Sequence, residues 1–171
     1  LMIAEGVLDG VDRAFALHIT PNQRVGTASC RPGPLLAGDT SITVTVRGRG
    51  GHASSPHHAT DPIPATAAII TALQTTVTRE VDVFDPAVLT IAHVVAGTTT
   101  NVIPETAFFE GTIRCISERT RARIREAVAR TIRGVAEAHG CTAEIELVDG
   151  YPVTLNDHGE AARFAEVCRT T

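Results

Sequence analysis

The chain has 171 residues, room for one ordinary domain or for one domain with pieces of another. Apolar residues make up 43%, enough for a core, while aromatics contribute only 4% and Trp is absent. A formal charge of −4, with all fifteen positive charges Arg and scattered, argues against nucleic acid as a partner. No apolar stretch approaches the ~20 residues of a membrane span, and the opening does not read as a signal peptide.

In chain order, LMIAEG reads as the tail of a helix and Arg13–Ile19 (RAFALHI) as a strand, followed by a Gly/Pro-rich joint, RPGPLLAGD. Ser41–Arg47 (SITVTVR) alternates polar and apolar, the period of a half-buried strand. Next comes GRGGHASSPHHATDP, residues 48–62, which places three glycines, three histidines and two prolines in fifteen positions. A helix follows over Asp61–Arg79, with Asp61 as N-cap, Pro62 in the first turn, and Ile63, Ala67, Ile70, Leu73 and Val77 on one stripe. Ala87–Val95 is a strand, and AGTTTNVIPE (96–105) leads to another, Thr106–Ile116. On that strand Ala107, Phe109, Ile113 and Cys115 take one side and Glu110, Thr112 and Arg114 the other. Ser117 caps a second helix with Ile124, Val128, Thr131, Ile132 and Val135 on its apolar face and Gly140 as its stop. Thr142–Val148 is a fourth alternating strand, and after YPVTLND the stretch Gly159–Cys168 is amphipathic.

The order β-α-β-β-α-β, with alternating strands, predicts an α+β fold. It is the ferredoxin-like antiparallel sheet with two helices on one face and its two ends close together. Such a unit suits insertion into another domain, and neither flank can bury its apolar residues alone. The expected organisation is therefore a complete inner domain at 39–150. Residues 1–38 and 151–171 would be partial segments of an α/β catalytic domain.

Cys30, Cys115, Cys141 and Cys168 form no CxxC pair, so neither a zinc ribbon nor a disulfide framework is expected. Cys115 and Cys141 read as small core residues, and a reducing cytoplasm is the default compartment. His57 and His58 read as solvated loop histidines. His52 directly follows Gly50 and Gly51, which permit positive φ and close backbone approach, so the loop is able to present the imidazole. It is equally a polar residue on a turn. Asn101 either satisfies its turn, as Asn does through left-handed backbone and local hydrogen bonds, or contacts a ligand. Arg114 either pairs with Glu110 on the same face or offers its fork to a carboxylate. His18, at the end of a strand candidate, is either a structural residue or a ligand-facing one.

Taken together, FALHITP, VRGRGGHASSPHHATDPI, GTTTNVIPETAFFEGTIR and YPVTLND resemble the metal-dependent aminoacylase/carboxypeptidase amidohydrolases. The branch is that of hippurate hydrolases, indole-acetyl-amino-acid hydrolases and N-acetyldiaminopimelate deacetylases. The resemblance implies an enzyme that hydrolyses N-acyl-amino acids with two divalent metals per full-length subunit (Zn, Mn or Co). It also implies an inserted lid domain that mediates homodimerisation. By the same resemblance His18 is a metal ligand and His52 reaches an active site, typically the partner subunit's, to polarise the scissile carbonyl. Asn101 and Arg114 contact the substrate, Arg114 at its carboxylate. The family's remaining metal ligands and its general-base glutamate have no counterpart in this stretch. The chain therefore resembles a segment of such an enzyme, expected to hold no metal stably and to be inactive by itself. The competing expectation is a free-standing ferredoxin-like module for dimerisation or ligand sensing, with Ala87–Val95 as its pairing edge.

Overall fold

The computed structural model describes residues 2–170. In chain order the strands are β1 (Gly33–Leu36), β2 (Gly38–Arg47), β3 (Gly51–His52), β4 (Ala87–Ala96), β5 (Val102–Ile103), β6 (Thr106–Cys115), β7 (Thr142–Asp149) and β8 (Thr154–Asn156). The helices are α1 (Pro62–Glu80), α2 (Glu118–Ala138) and α3 (His158–Thr170), with one 3₁₀ turn at Pro56–His58. The four long strands form one antiparallel sheet in the order β4-β6-β2-β7. Because β6 lies between β2 and β4, the α1 crossover spans one strand. This is the predicted ferredoxin-like arrangement.

Alternation decides which face is covered. On β2, Ile42, Val44 and Val46 are fully buried, while Ser41 and Arg47 on the other side are exposed. Phe109 and Ile113 of β6 complete the sheet's contribution, and Ile69, Leu73, Ile124, Val128 and Ile132 cover it from the two helices. The open face carries polar pairs, including Arg47 with both oxygens of Glu144 at 2.7 and 2.9 Å. Both partners are largely solvated, so this pair contributes little to stability. Cys115 and Cys141 are buried as expected, and burial pushes the Cys115 thiol up to about 11. Cys30 and Cys168 are exposed.

The caps behave as the sequence indicated. Asp61 Oδ1 accepts from the Ile63 amide at 2.9 Å, and Ser117 Oγ accepts from the Thr120 amide at 3.1 Å. Gly140 ends α2 at φ +72°. At Gly111 a Cβ would stand 2.0 Å from the Thr90 carbonyl oxygen, beside the register shift between Ile91 and His93. Only glycine allows β4 to come so close.

Three readings need correction. The buried face of α1 is Pro62, Ala65, Thr66, Ile69, Leu73 and Thr76; of the predicted stripe Leu73 is buried and Val77 packs against the core, but Ala67 is exposed and Ile63 is 42% exposed. This helix is apolar around much of its girth, so periodicity allowed several stripes. Residues 2–10 form turns rather than a helix tail, with Gly6 and Gly10 at positive φ. Arg13–Ile19 is not a strand, because no neighbouring strand bonds to it, and Leu17 and Ile19 are 84% and 92% exposed.

The flanks meet through a ribbon the sequence did not reveal. β1 pairs antiparallel with β8, Gly33 opposite Asn156 and Leu36 opposite Thr154. Alongside it the Asp39 amide donates to the Tyr151 carbonyl at 3.1 Å, and the Gly150 amide donates to the Asp39 carbonyl at 3.0 Å. The chain thus enters and leaves the platform at one point.

Candidate functional site

The glycine-rich loop leaves the end of β2 and folds back on itself. Arg49 and Thr60 exchange backbone hydrogen bonds at 2.8 Å each, and a Cβ at Gly48 would fall 2.0 Å from the Thr60 carbonyl oxygen. Gly50 and Gly51 do not use positive φ, the freedom the sequence reading allowed them. Closeness is their requirement: a Cβ at Gly50 would lie 3.0 Å from the Ile103 carbonyl, and one at Gly51 would lie 3.0 Å from the Ala59 Cβ. Gly50 therefore lets this loop pack against the 97–105 loop, Gly48 and Gly51 let it fold on itself, and β3 and β5 pair there, Gly51 with Ile103 and His52 with Val102.

That ribbon brings two of the four expected residues together. The Ala53 amide donates to the Asn101 carbonyl at 3.0 Å, which places Asn101 one step along from His52. Asn101 does not occupy left-handed backbone; Gly97, at φ +67°, takes that position in the loop. The Asn101 Oδ1 accepts from Thr99 Oγ1 at 3.1 Å, and this orients the amide nitrogen outward as a donor. His52 is exposed, and Ser54 engages its Nδ1 through both amide and hydroxyl, at 3.2 and 2.8 Å. Beside the ribbon lies an open, mostly apolar hollow of about 280 Å³ walled by Val95, Val102, Pro104 and Phe108. His57 and His58 are exposed on the 3₁₀ turn, their rings 4.0 Å apart.

Arg114 is elsewhere. It stands opposite Asp39 near the flank end of β6, eight residues beyond Thr106, where the His52 loop departs. At ~3.4 Å per residue, roughly 27 Å of strand lies between the backbone of Arg114 and the end of β6 from which the His52 loop departs. It does not pair with Glu110, which instead meets His93 Nδ1 at 3.1 Å. Its partner is Asp39 Oδ1 at a loose 3.7 Å, and half the side chain is exposed, so most of the fork is open.

His18 lies in the first flank, exposed and outside any strand. Its Nδ1 donates to the Ile19 carbonyl at 2.7 Å. Among the described residues no group of three or more His, Cys, Asp or Glu side chains could hold a metal ion. One imidazole does not make a divalent-metal centre, so the residues present do not form one.

Sequence reasoning missed Asp85. It lies in the loop between α1 and β4, buried against the start of α2, where Ser117 Oγ and Thr120 Oγ1 each donate to its Oδ2 at 2.7 Å, with Arg119 at 3.1 Å. The hydrogen bond from Ser117 above all, then that from Thr120, holds its pKa below the usual aspartate range. The Ser-x-x-Thr cap was the available signal, but its acidic partner lies over thirty residues away.

Comparison with known proteins places these features. Residues 36–140 match the peptidase dimerisation domain of the M20 family. The chain is 38% identical over 155 residues to N-acetyldiaminopimelate deacetylase of Halalkalibacterium halodurans, covering 91% of this chain and 42% of that protein. It is 37% identical over 156 residues to N-acetylcysteine deacetylase of Bacillus subtilis, covering 91% and 41%. A solved chain from methicillin-resistant Staphylococcus aureus superposes with a TM-score of 0.91 at 35% identity, over 99% of this chain and 45% of that one. A dinuclear metal-binding peptidase of the M20 family from Bacillus subtilis does so with 0.78 at 31% identity, over 99% and 42%. The chain spans about two fifths of the length of the curated relatives it matches. A peptidase dimerisation domain, relatives that are deacetylases, and a ferredoxin-like sheet between two flanks give one conclusion: the chain belongs to the M20 family of metal-dependent hydrolases.

Proposed function

We propose that the chain is the lid segment, with its flanks, of an amidohydrolase that removes acyl groups from N-acyl-amino acids and works as a homodimer. Residues 39–150 are the lid; 1–38 and 151–171 belong to the catalytic domain that binds two divalent ions, Zn, Mn or Co. When bound, that metal pair supplies Lewis acidity and an activated water. His18 is one of its ligands. His52 donates from its ring to the carbonyl oxygen as negative charge develops there, Asn101 orients the same end of the substrate, and Arg114 holds the free carboxylate. Four free thiols fit a reducing compartment, and we place the enzyme in the cytoplasm.

One observation carries this reading. His52 and Asn101 stand at one end of the sheet and Arg114 at the other, too far apart for one small substrate to touch all three. A site that uses them all must take them from two chains, as a dimerisation domain allows. The edges of the sheet agree with this: β4 exposes Val88, Val94 and Val95, whereas β7 carries Glu144, Glu146 and Asp149, charges that discourage pairing. We assign pairing to β4.

Subunit mixing tests the arrangement. In the full-length enzyme, His52→Ala alone lowers kcat by roughly 10²–10³-fold without loss of metal, and Arg114→Ala alone raises KM for substrates with a free carboxylate. When the two variants are mixed and exchanged, every mixed dimer contains one site with both residues intact. With substrate well below the wild-type KM, where both parent variants are slow, turnover then recovers to about a quarter of wild type, since half the dimers are mixed and half their sites are whole. No recovery on mixing means that both residues serve the site of a single chain, and the reading fails.

A further inference from the structure

We infer that His52 is held in one tautomer and that Ser54 is the positioning residue that sets it. A backbone amide can only donate, so the Ser54 N–H at 3.2 Å requires Nδ1 of His52 to present its lone pair. The Ser54 hydroxyl, 2.8 Å from the same nitrogen, must then donate as well. A neutral imidazole with unprotonated Nδ1 carries its proton on Nε2. Among the described residues nothing engages Nε2, so the exposed ring turns an N–H donor outward.

Ser54 owes its own place to the backbone rather than to its side chain. The Ser55 amide closes the turn on the His52 carbonyl at 2.9 Å, and the Ala53 amide anchors it to Asn101. The 3₁₀ turn continues from it, with the His58 amide donating to the Ser55 carbonyl at 3.1 Å. Ser54 itself is exposed, so removing its hydroxyl leaves these bonds and the core untouched. The tautomer matters because of what the ring faces: Nε2–H attracts a carbonyl oxygen, whereas a bare Nε2 lone pair repels one. This consequence rests on the role proposed for His52, although the tautomer assignment does not.

Imidazole nitrogen-15 resonances of the 171-residue chain, recorded where the ring is neutral, provide the test. The expected spectrum has Nδ1 of His52 unprotonated and Nε2 protonated. Ser54→Ala lowers the ratio of Nε2–H to Nδ1–H rings about fivefold, the effect of one lost neutral hydrogen bond, and Ser54→Thr restores it. A protonated Nδ1 in the wild type, or an unchanged ratio in Ser54→Ala, overturns the inference. The two failures are distinguishable. If the ratio follows Ser54 while His52→Ala leaves turnover of the full-length enzyme intact, the catalytic reading falls and the positioning role of Ser54 stands.

Discussion

The platform and the first flank have similar proportions of apolar residues but use them in opposite ways. In the platform Ile42, Val44, Phe109 and Val128 have no solvent exposure at all, while in the first flank Phe15, Leu17 and Ile19 are 64–92% exposed. The two histidines follow the same division. His52 stands on paired backbone with two donors on its Nδ1, and its free nitrogen is a donor. His18 sits on chain outside any strand, its Nδ1 donating to its neighbour's carbonyl. Packing is thus divided: the platform has its own core and an imidazole held by two donors, whereas the first flank leaves its large apolar side chains and its imidazole exposed.

Substitutions in the 171-residue chain can break or sharpen this contrast. Phe109→Ala should have the largest effect, ~3–5 kcal/mol in denaturant unfolding, because its cavity opens at the centre of the sheet. A loss below about 1 kcal/mol would show that the platform does not hold the stability of the chain. Asp85→Asn ranks next, at ~1–3 kcal/mol, since it disturbs a buried carboxylate that accepts from three groups. Its pH signature is separate. The folded-state pKa of Asp85 is lowered, so its contribution is present above the ordinary aspartate range and is lost as pH falls through the folded value. Stability measured against pH should therefore have a flatter acid limb in Asp85→Asn than in the wild type. The smallest effect belongs to Leu17→Ser, within about 0.5 kcal/mol, because the side chain is already in water. A larger loss would mean that the flank packs on the platform after all.

What could be read from the residues follows the same line. Period-two alternation and side-chain caps at Asp61 and Ser117 are local signals, so the four long strands and two helices were legible to within three residues, the largest miss being the start of β2 at Gly38 rather than Ser41. Signals that need a partner were not. β3 and β5 are two residues each, too short for any period, yet they bring His52 beside Asn101. The stripe on α1 slipped because an apolar helix leaves the sheet to choose its face. Arg13–Ile19 had the composition of a strand without a neighbour to bond. The motif resemblance supplied the site residues one by one, but only the register of β6 revealed that Arg114 and His52 lie at opposite ends.

The β1–β8 ribbon has a mechanical consequence. Gly33 pairs with Asn156 at its outer end and Leu36 with Thr154 at its inner end, so the chain enters and leaves the four-stranded sheet side by side. Tension that pulls the two flanks apart must therefore open the ribbon pair by pair before it reaches the ladders of β2 with β6 and β7.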